Sequence, residues 1–146
     1  MAGLFSSTLA LNGTLAIGTT GDWASHSLEH AVSVVHDIPH GGGLAILFPN
    51  WITYSLDANI GRFKQFAESV LNINPEGKND QQVAEEGIAA LREFFVSLSA
   101  PSRLADYGID DSTIELMADK AMIYGDLGNF KKLSRSDVLH IYRMSL

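Results

Sequence analysis

Apolar residues recur along most of this chain at the three- and four-residue spacing of one helix face, and few segments alternate with the period of two typical of strands. Pro49 is expected to kink or begin the third apolar segment, and the polar run at 72–80 is typical of a loop. We therefore predict an all-α domain of six or seven helices. The predicted helices cover residues 4–17, 22–36, 44–56, 59–71, 82–99, 110–123 and 136–143.

Polar residues mark several of the predicted helix ends. Asp22 directly precedes the apolar-periodic part of the second segment, which favours an N-cap, because its carboxylate can accept a hydrogen bond from a free backbone N–H. Asp110 or Asp111 can cap the sixth helix in the same way, and Ser136 the last. The second helix should end before Pro39, since the residue preceding a proline disfavours the helical conformation.

Charged residues are distributed unevenly along the chain. All ten Lys and Arg residues lie at Arg62 or beyond, and the first 61 residues contain only four charged groups, all acidic. A stretch with so few charges should be largely buried, either in this chain's own core or against something that the chain lacks. The net charge of −7 argues against non-specific binding to nucleic acid, which requires a basic surface.

Two features bear on cellular location. The first twenty residues are apolar and small, but no basic residue precedes them and Asn12 and Gly13 interrupt them, so we expect neither a signal peptide nor a membrane span. The chain contains no cysteine, which excludes a disulfide scaffold, a thiolate zinc site and a cysteine nucleophile. We expect a cytoplasmic protein with no membrane partner.

Four of the five histidines, namely His26, His30, His36 and His40, lie within fifteen residues of one another in sequence. His26 and His30 are four residues apart and project from the same helix face, and the turn through Pro39 can bring His40 over that face. Because neutral imidazole is the commonest nitrogen ligand and titrates near neutral pH, the cluster indicates a metal or proton-transfer site. Two histidine ligands do not complete a catalytic metal site, however, and the residues upstream offer no convincing further ligand.

Simpler interpretations of these residues stay open. A His-x-x-x-His pair is common by chance on helices, and Glu29, although it completes the H-x-x-E-H spacing of inverted zinc peptidases, is expected to be a solvated surface carboxylate. His36 lies in the last turn of its helix, where an imidazole interacts favourably with the helix dipole. His140 is far away in the chain and is expected on the surface.

Residues 21–49, GDWASHSLEHAVSVVHDIPHGGGLAILFP, resemble the second signature region of the iron-containing, group III alcohol dehydrogenases, in their butanol dehydrogenase-like branch. The resemblance continues through Phe94-Phe95 and residues 104–109 to the last residue, so it covers essentially the whole chain. It implies that residues 1–146 correspond to the all-helical C-terminal domain of that family, without its N-terminal α/β nucleotide-binding domain.

The resemblance also implies roles for individual histidines. It makes His26 and His40 metal ligands, and it places His30 beside the nicotinamide, with a part in proton transfer. The ion would be Fe²⁺ or Zn²⁺, the cofactor NAD(P)H and the substrate a small alcohol or aldehyde. The family's two other ligands, an Asp and a His four residues apart in an earlier segment, have no counterpart in residues 1–20, which contain neither residue type.

From this departure we expect a half-complete metal site and no activity of the chain alone. Since the nucleotide-binding domain would be a necessary partner, we also expect an exposed apolar face in the first 61 residues, and with it a homo-oligomer. One alternative is a non-catalytic helical assembly module, or a folded remnant without metal. A third interpretation, an independent zinc hydrolase with Glu29 as its base, has the least support.

Overall fold

The computed structural model describes residues 2–146, and within them the chain consists of helices joined by loops, with no strand apart from an isolated antiparallel bridge between Leu127 and Leu133. The all-α prediction is confirmed. The α-helices are α1 (Ala2–Leu11), α2 (Ala24–His36), α3 (His40–Ser55), α4 (Ile60–Leu71), α5 (Asp80–Ser97), α6 (Ile114–Ala121) and α7 (Arg135–Met144). Short 3₁₀ turns occupy Thr14–Ala16, Leu56–Ala58, Leu104–Tyr107 and Asp111–Thr113.

The first helix is shorter than the predicted segment 4–17. Helix α1 ends at Leu11, and Gly13 follows in the left-handed conformation, with φ of 82°. Glycine adopts this conformation without the steric cost that a Cβ would bring, so the Asn12-Gly13 pair stops the helix and a 3₁₀ turn continues the chain. The prediction that this segment forms one continuous helix is therefore wrong at its C-terminal end.

Helix α3 begins earlier than predicted. It starts at His40 rather than near residue 44, runs through the glycine triplet 41–43, and continues past Pro49. Proline lacks the N–H that would bond the carbonyl of Ala45, but the helix carries on to Ser55, so Pro49 neither begins nor ends it.

The last helix is capped two residues before the predicted position. Ser134, not Ser136, is the N-cap, and its side chain and the carboxylate of Asp137 form a capping box. The Asp137 Oδ2 atom accepts hydrogen bonds from the backbone N–H of Ser134 at 2.7 Å and from its hydroxyl at 2.7 Å. The acidic residue three positions after the cap is the feature that selects Ser134.

Helix α3 lies at the centre of the packing and contacts α2, α5 and α7. Leu28 and Val32 of α2 pack with Ile46 and Leu47 of α3 in one core, all of them fully buried. Helices α4 and α5 form a close pair, because Gly87 has no side chain where α5 meets Ala67 of α4. The burial expected for the charge-poor stretch therefore holds for residues 24–56.

Residues 3–23 do not share in this core. Helix α1 leaves large apolar side chains in solvent, including Leu4 at 78% and Phe5 at 68% exposure, and Leu11, Leu15 and Ile17 continue the exposed surface. The exposed apolar face expected in the first 61 residues is thus present in this segment, and Val34 of α2 is a further exposed apolar residue, at 71% exposure. Across residues 2–146, no helix has both the length and the apolar character that crossing a bilayer demands.

Candidate metal centre

The start of α2 is fixed by Asp22. Its Oδ1 atom accepts a hydrogen bond from the N–H of Ala24, the first residue of the helix, at 2.8 Å. The N-cap position itself is Trp23, so the prediction of Asp22 as N-cap is wrong by one residue. Its Oδ2 atom accepts from the N–H groups of Asn129 at 2.6 Å and Phe130 at 2.7 Å. Asp22 therefore ties the first turn of the histidine-bearing helix to a loop more than 100 residues later in the chain.

The three histidines singled out by the sequence lie together. His26 and His30 project from one face of α2, and His40 is the first residue of α3. The ring centroid of His40 lies 5.3 Å from that of His26 and 5.1 Å from that of His30, while the two rings of α2 are 6.2 Å apart. The turn through Pro39 thus brings His40 over the α2 face, as expected.

The fourth polar group of the cluster is Glu29, and the expectation of a solvated carboxylate is wrong. Glu29 is 0% exposed. Its Oε2 atom accepts a hydrogen bond from Nδ1 of His40, and its Oε1 atom accepts one from the hydroxyl of Ser33 at 2.5 Å. The hydroxyl of Ser33 also lies 3.2 Å from the carbonyl oxygen of Ile38, in the turn that leads to His40.

A helical-spacing argument could have found Glu29. On an α-helix, positions 25 and 32 lie on the same side as position 29, and both are buried core-facing positions of α2. The charge of Glu29 favours a solvent-exposed side chain, whereas its position on α2 favours a buried one. The position decides where this side chain lies. The sequence does not show which group forms a hydrogen bond with the buried carboxylate of Glu29, since only the tertiary fold brings the Nδ1 atom of His40 to it.

The glycine triplet provides the space for this arrangement. A Cβ at Gly43 would lie 2.7 Å from both Cγ and Oε1 of Glu29, and a Cβ at Gly42 would lie 1.9 Å from the hydroxyl oxygen of Tyr107. A Cβ at Gly41 would meet nothing within 4 Å. Gly42 therefore allows the close approach of α3 to Tyr107, and Gly43 allows its close approach to the carboxyl group of Glu29.

The electrostatics of the cluster favour neutral imidazole at His26. Burial lowers the pKa of His26 below its ordinary value, and the charges that His40 and His30 would carry lower it further, against an opposing effect of Glu29. A neutral ring is the form that offers a nitrogen lone pair to a cation.

The donor chemistry of this group fits a divalent transition metal. Glu29, His30 and His40 each offer a ligand atom, and these atoms all lie within 4.8 Å of one another. The ring of His26 borders the same group. Imidazole nitrogen suits iron and zinc equally, so the residues do not select between them.

Two clefts flank the histidines. The first, of about 400 Å³, lies beside His30, and the second, of about 360 Å³, lies beside His26. The first is lined mainly by His30, Ala31, Val34, Lys120, Tyr124 and Asp126. The second is almost entirely apolar and is lined mainly by Gly41, Leu44, Ala45, Phe48 and Phe95. The cluster is accessible from both sides of α2.

The two remaining histidines lie apart from the cluster. His36 occupies the last turn of α2, as predicted, and its Nε2 atom is 2.8 Å from the hydroxyl oxygen of Thr113, in the 3₁₀ turn before α6. His140 is exposed on α7, as predicted, and its ring lies 5.3 Å from that of Tyr54.

Comparison with known proteins shows to which family this chain belongs. The model of the C-terminal part of the Fe-containing alcohol dehydrogenase family matches residues 2–146. The chain therefore belongs to the iron-containing alcohol dehydrogenases and corresponds to the C-terminal domain of that family, as the resemblance of residues 21–49 implied.

The chain is similar to butanol dehydrogenases in particular. It is 58% identical over 146 residues to the probable NADH-dependent butanol dehydrogenase 2 of Bacillus subtilis (strain 168), covering 98% of this chain and 37% of the relative. It is 39% identical to the NADH-dependent butanol dehydrogenase A of Clostridium acetobutylicum, covering 97% of this chain and 37% of the relative. The chain thus spans little more than a third of these relatives.

A solved structure supports the same assignment. The crystal structure of NADH-dependent butanol dehydrogenase A from Thermotoga maritima superposes with a TM-score of 0.89 at 35% identity. The superposition covers 97% of this chain and 37% of that one. The all-α fold described above is therefore the fold of the C-terminal region of that enzyme.

Proposed function

We propose that this chain is the metal-binding part of an NAD(P)-linked alcohol dehydrogenase that interconverts small alcohols and aldehydes. The observation that carries the proposal is the convergence of His26, His30 and His40, from two helices, in a chain of the iron-containing alcohol dehydrogenase family. The similarity to butanol dehydrogenases supports a short aliphatic substrate.

We assign metal binding to His26 and His40. The rings of His26 and His40 lie close together, and burial favours the neutral form of His26. The Nδ1 atom of His40 is held by Glu29, which leaves the lone pair of Nε2 free on that ring. A bound Fe²⁺ or Zn²⁺ ion would act as a Lewis acid toward the alcohol or carbonyl oxygen.

His30 is the proposed proton-transfer residue, and it is also the residue that would lie beside a bound nicotinamide. His30 is exposed, its ring centroid lies 5.1 Å from that of His40, and it lines the cleft of about 400 Å³. From this position it can take the hydroxyl proton of an alcohol and pass it to solvent. A bound nicotinamide would supply the hydride-transfer chemistry, which belongs to the cofactor.

The chain carries two of the four proposed ligand positions. Residues 1–20 contain no Asp and no His, so the remaining two ligands and the nucleotide-binding domain would come from outside these 146 residues. We therefore propose that the chain alone is inactive. Its cysteine-free composition supports a cytoplasmic location, and the exposed apolar surface of α1 supports association with another domain or copy.

The first experiment is a calorimetric titration of the metal-free chain with Zn²⁺ at neutral pH. Because two of the four proposed ligands are absent, we expect one weak site, which His26→Ala and His40→Ala each remove. The matched variant His140→Ala should leave it intact, because His140 lies outside the cluster. Zinc binding that is unchanged in both cluster variants would refute the ligand assignment. NADH-linked reduction of butanal by the isolated chain would refute the proposed inactivity.

A further inference from the structure

Glu29 is a fully buried carboxyl group to which the proposed reaction gives no role. Both of its oxygens are engaged, Oε2 by Nδ1 of His40 and Oε1 by the hydroxyl of Ser33. A buried carboxyl group is costly unless it is hydrogen-bonded, so its presence here requires these specific partners. No Lys or Arg among the described residues pairs with it.

The burial and hydrogen bonds of Glu29 argue against two other roles, those of a general base and of a metal ligand. A general base must reach the water or substrate that it deprotonates, and a side chain with no exposed surface and two engaged oxygens does not. Glu29 lies close enough to share an ion with His30 and His40, but its Oε2 atom already contacts the ring nitrogen of His40. A ligand role would require that hydrogen bond to break.

We infer that Glu29 is a positioning residue that holds His40 in the Nδ1–H tautomer and thereby directs its Nε2 lone pair to the metal. The inference rests on the proposed assignment of His40 as a ligand. A carboxylate oxygen only accepts hydrogen bonds, so in this contact Nδ1 carries the proton and Nε2 is left unprotonated. Fixing the tautomer and the ring plane before the ion arrives removes an ordering cost from metal binding.

The surroundings of Glu29 are built around this contact. Ser33 lies one turn further along α2, donates to the second carboxylate oxygen, and also lies near the backbone of the turn that delivers His40. Gly43 has no side chain where Cγ and Oε1 of Glu29 pack, at 2.7 Å from an ideal Cβ. The hydroxyl of Tyr142 donates to the carbonyl oxygen of Leu28, which steadies the backbone next to Glu29.

The direct test is the tautomer of His40 in the metal-free protein, measured by long-range ¹H–¹⁵N NMR on labelled chain at a pH where the ring is neutral. We expect the Nδ1–H form to predominate in the wild-type chain. The isosteric variant Glu29→Met, which cannot accept a hydrogen bond, should return His40 to a mixture rich in the Nε2–H form. A wild-type His40 with its proton on Nε2 would overturn the inference, and this measurement needs no variant.

The second test is metal affinity, measured with Co²⁺ by its visible absorption and with Zn²⁺ by calorimetry. Carboxylate partners of metal-bound histidines typically contribute about 10- to 100-fold in affinity, and we expect Glu29→Gln and Glu29→Met to lose this much. The control Glu93→Gln, at an exposed position of α5, should bind as the wild type does. An altered Co²⁺ spectrum in Glu29→Gln, at saturating metal, would show a changed ligand arrangement that general destabilisation does not produce.

The outcomes separate this inference from the ligand assignment. If His40→Ala abolishes binding but both Glu29 variants bind as tightly as the wild type, the inference fails and the ligand assignment stands. If His40→Ala binds metal normally, the ligand assignment fails, whatever Glu29 does. The ligand assignment of His40 and the positioning role of Glu29 together require two results. The Nδ1–H tautomer of His40 must predominate in the wild type, and Glu29→Met must bind metal more weakly.

Discussion

The imidazole of His40 donates a hydrogen bond through Nδ1 to the carboxylate of Glu29, so the first residue of α3 is held by a side chain from the middle of α2. The pair joins a half-exposed ring to a carboxyl group with no exposed surface. The contact fixes the ring relative to the helix that carries the other two histidines, and the shape of the cluster depends on how closely α2 and α3 approach. Glycine at the right positions of α3 makes that approach possible.

Replacing Gly43 with alanine should destabilise the protein, because the added Cβ would lie 2.7 Å from the side chain of Glu29. We expect a loss of about 1–3 kcal/mol in the free energy of unfolding, as for other over-packed sites. The matched variant Gly41→Ala meets nothing within 4 Å and should change stability by less than about 1 kcal/mol, in the stabilising direction if at all. Urea unfolding would measure both, and equal effects of the two variants would contradict the proposed close approach.

Loss of the Asp22 carboxylate should weaken the protein at two distant places. Asp22→Ala removes the acceptor for the N–H of Ala24 and for those of Asn129 and Phe130, and we expect a cost of about 1–3 kcal/mol. Hydrogen exchange should show faster exchange at the amides of Asn129 and Phe130. Asp22→Asn keeps one acceptor oxygen and should be intermediate. Unchanged exchange at both amides in Asp22→Ala would exclude the link between α2 and this loop.

Tyr54 should titrate well above the usual pH of a phenol. Its hydrogen bond to Asp137, with burial as the next cause, raises its pKa from 10.0 to about 12. Since the folded-state pKa lies above the ordinary value, this interaction contributes stability in full below pH 10.0 and loses it as the pH rises through about 12.

The measurement is an NMR titration of ¹³C-labelled tyrosine rings, in which Tyr54→Phe identifies the resonance. We expect Asp137→Asn to bring the midpoint of Tyr54 down toward 10.0, because the charged acceptor is gone. A wild-type midpoint at 10.0 would show that the hydrogen bond is not maintained in solution.

The apolar side chains of α1 should contribute to association rather than to folding. Leu4 and Phe5 are mostly exposed, so Leu4→Ser/Phe5→Ser should change the free energy of unfolding by no more than about 0.5 kcal/mol. The same variant should reduce self-association in sedimentation velocity experiments at high protein concentration. Leu28→Ala is the contrasting control, since Leu28 is fully buried and its truncation should cost about 2–5 kcal/mol. Large destabilisation by the serine variant would mean that α1 packs on the core in solution.

The helices were predictable from the sequence because apolar periodicity reports which face of a helix is buried. Helices α2, α4 and α5 lie within two residues of their predicted bounds. The start of α3 was not predictable in this way, because three consecutive glycines have poor helix propensity. Contacts with Tyr107 and Glu29, which exist only in the folded chain, explain why the helix begins there with glycines.

The candidate site was predictable in its histidines and not in its carboxylate. Spacing on one helix and a proline turn were enough to bring His26, His30 and His40 together. The different roles proposed for them rest on the family resemblance, because three clustered imidazoles are chemically alike. Glu29 was misjudged because charged side chains are rarely buried without a partner, and its partner lies eleven residues further along the chain and across a turn.

The hydrogen bond from the Tyr142 hydroxyl to the carbonyl oxygen of Leu28 spans 114 residues of sequence. During synthesis the histidine-bearing helix is therefore made well before this contact, which can form only when nearly all of this domain has been translated. Such a late, long-range closure predicts that metal added to a nascent chain would meet a flexible set of imidazoles, and that a competent site forms only after translation of this domain. On the proposed ligand assignment, an ion would then be loaded after folding and would not direct it.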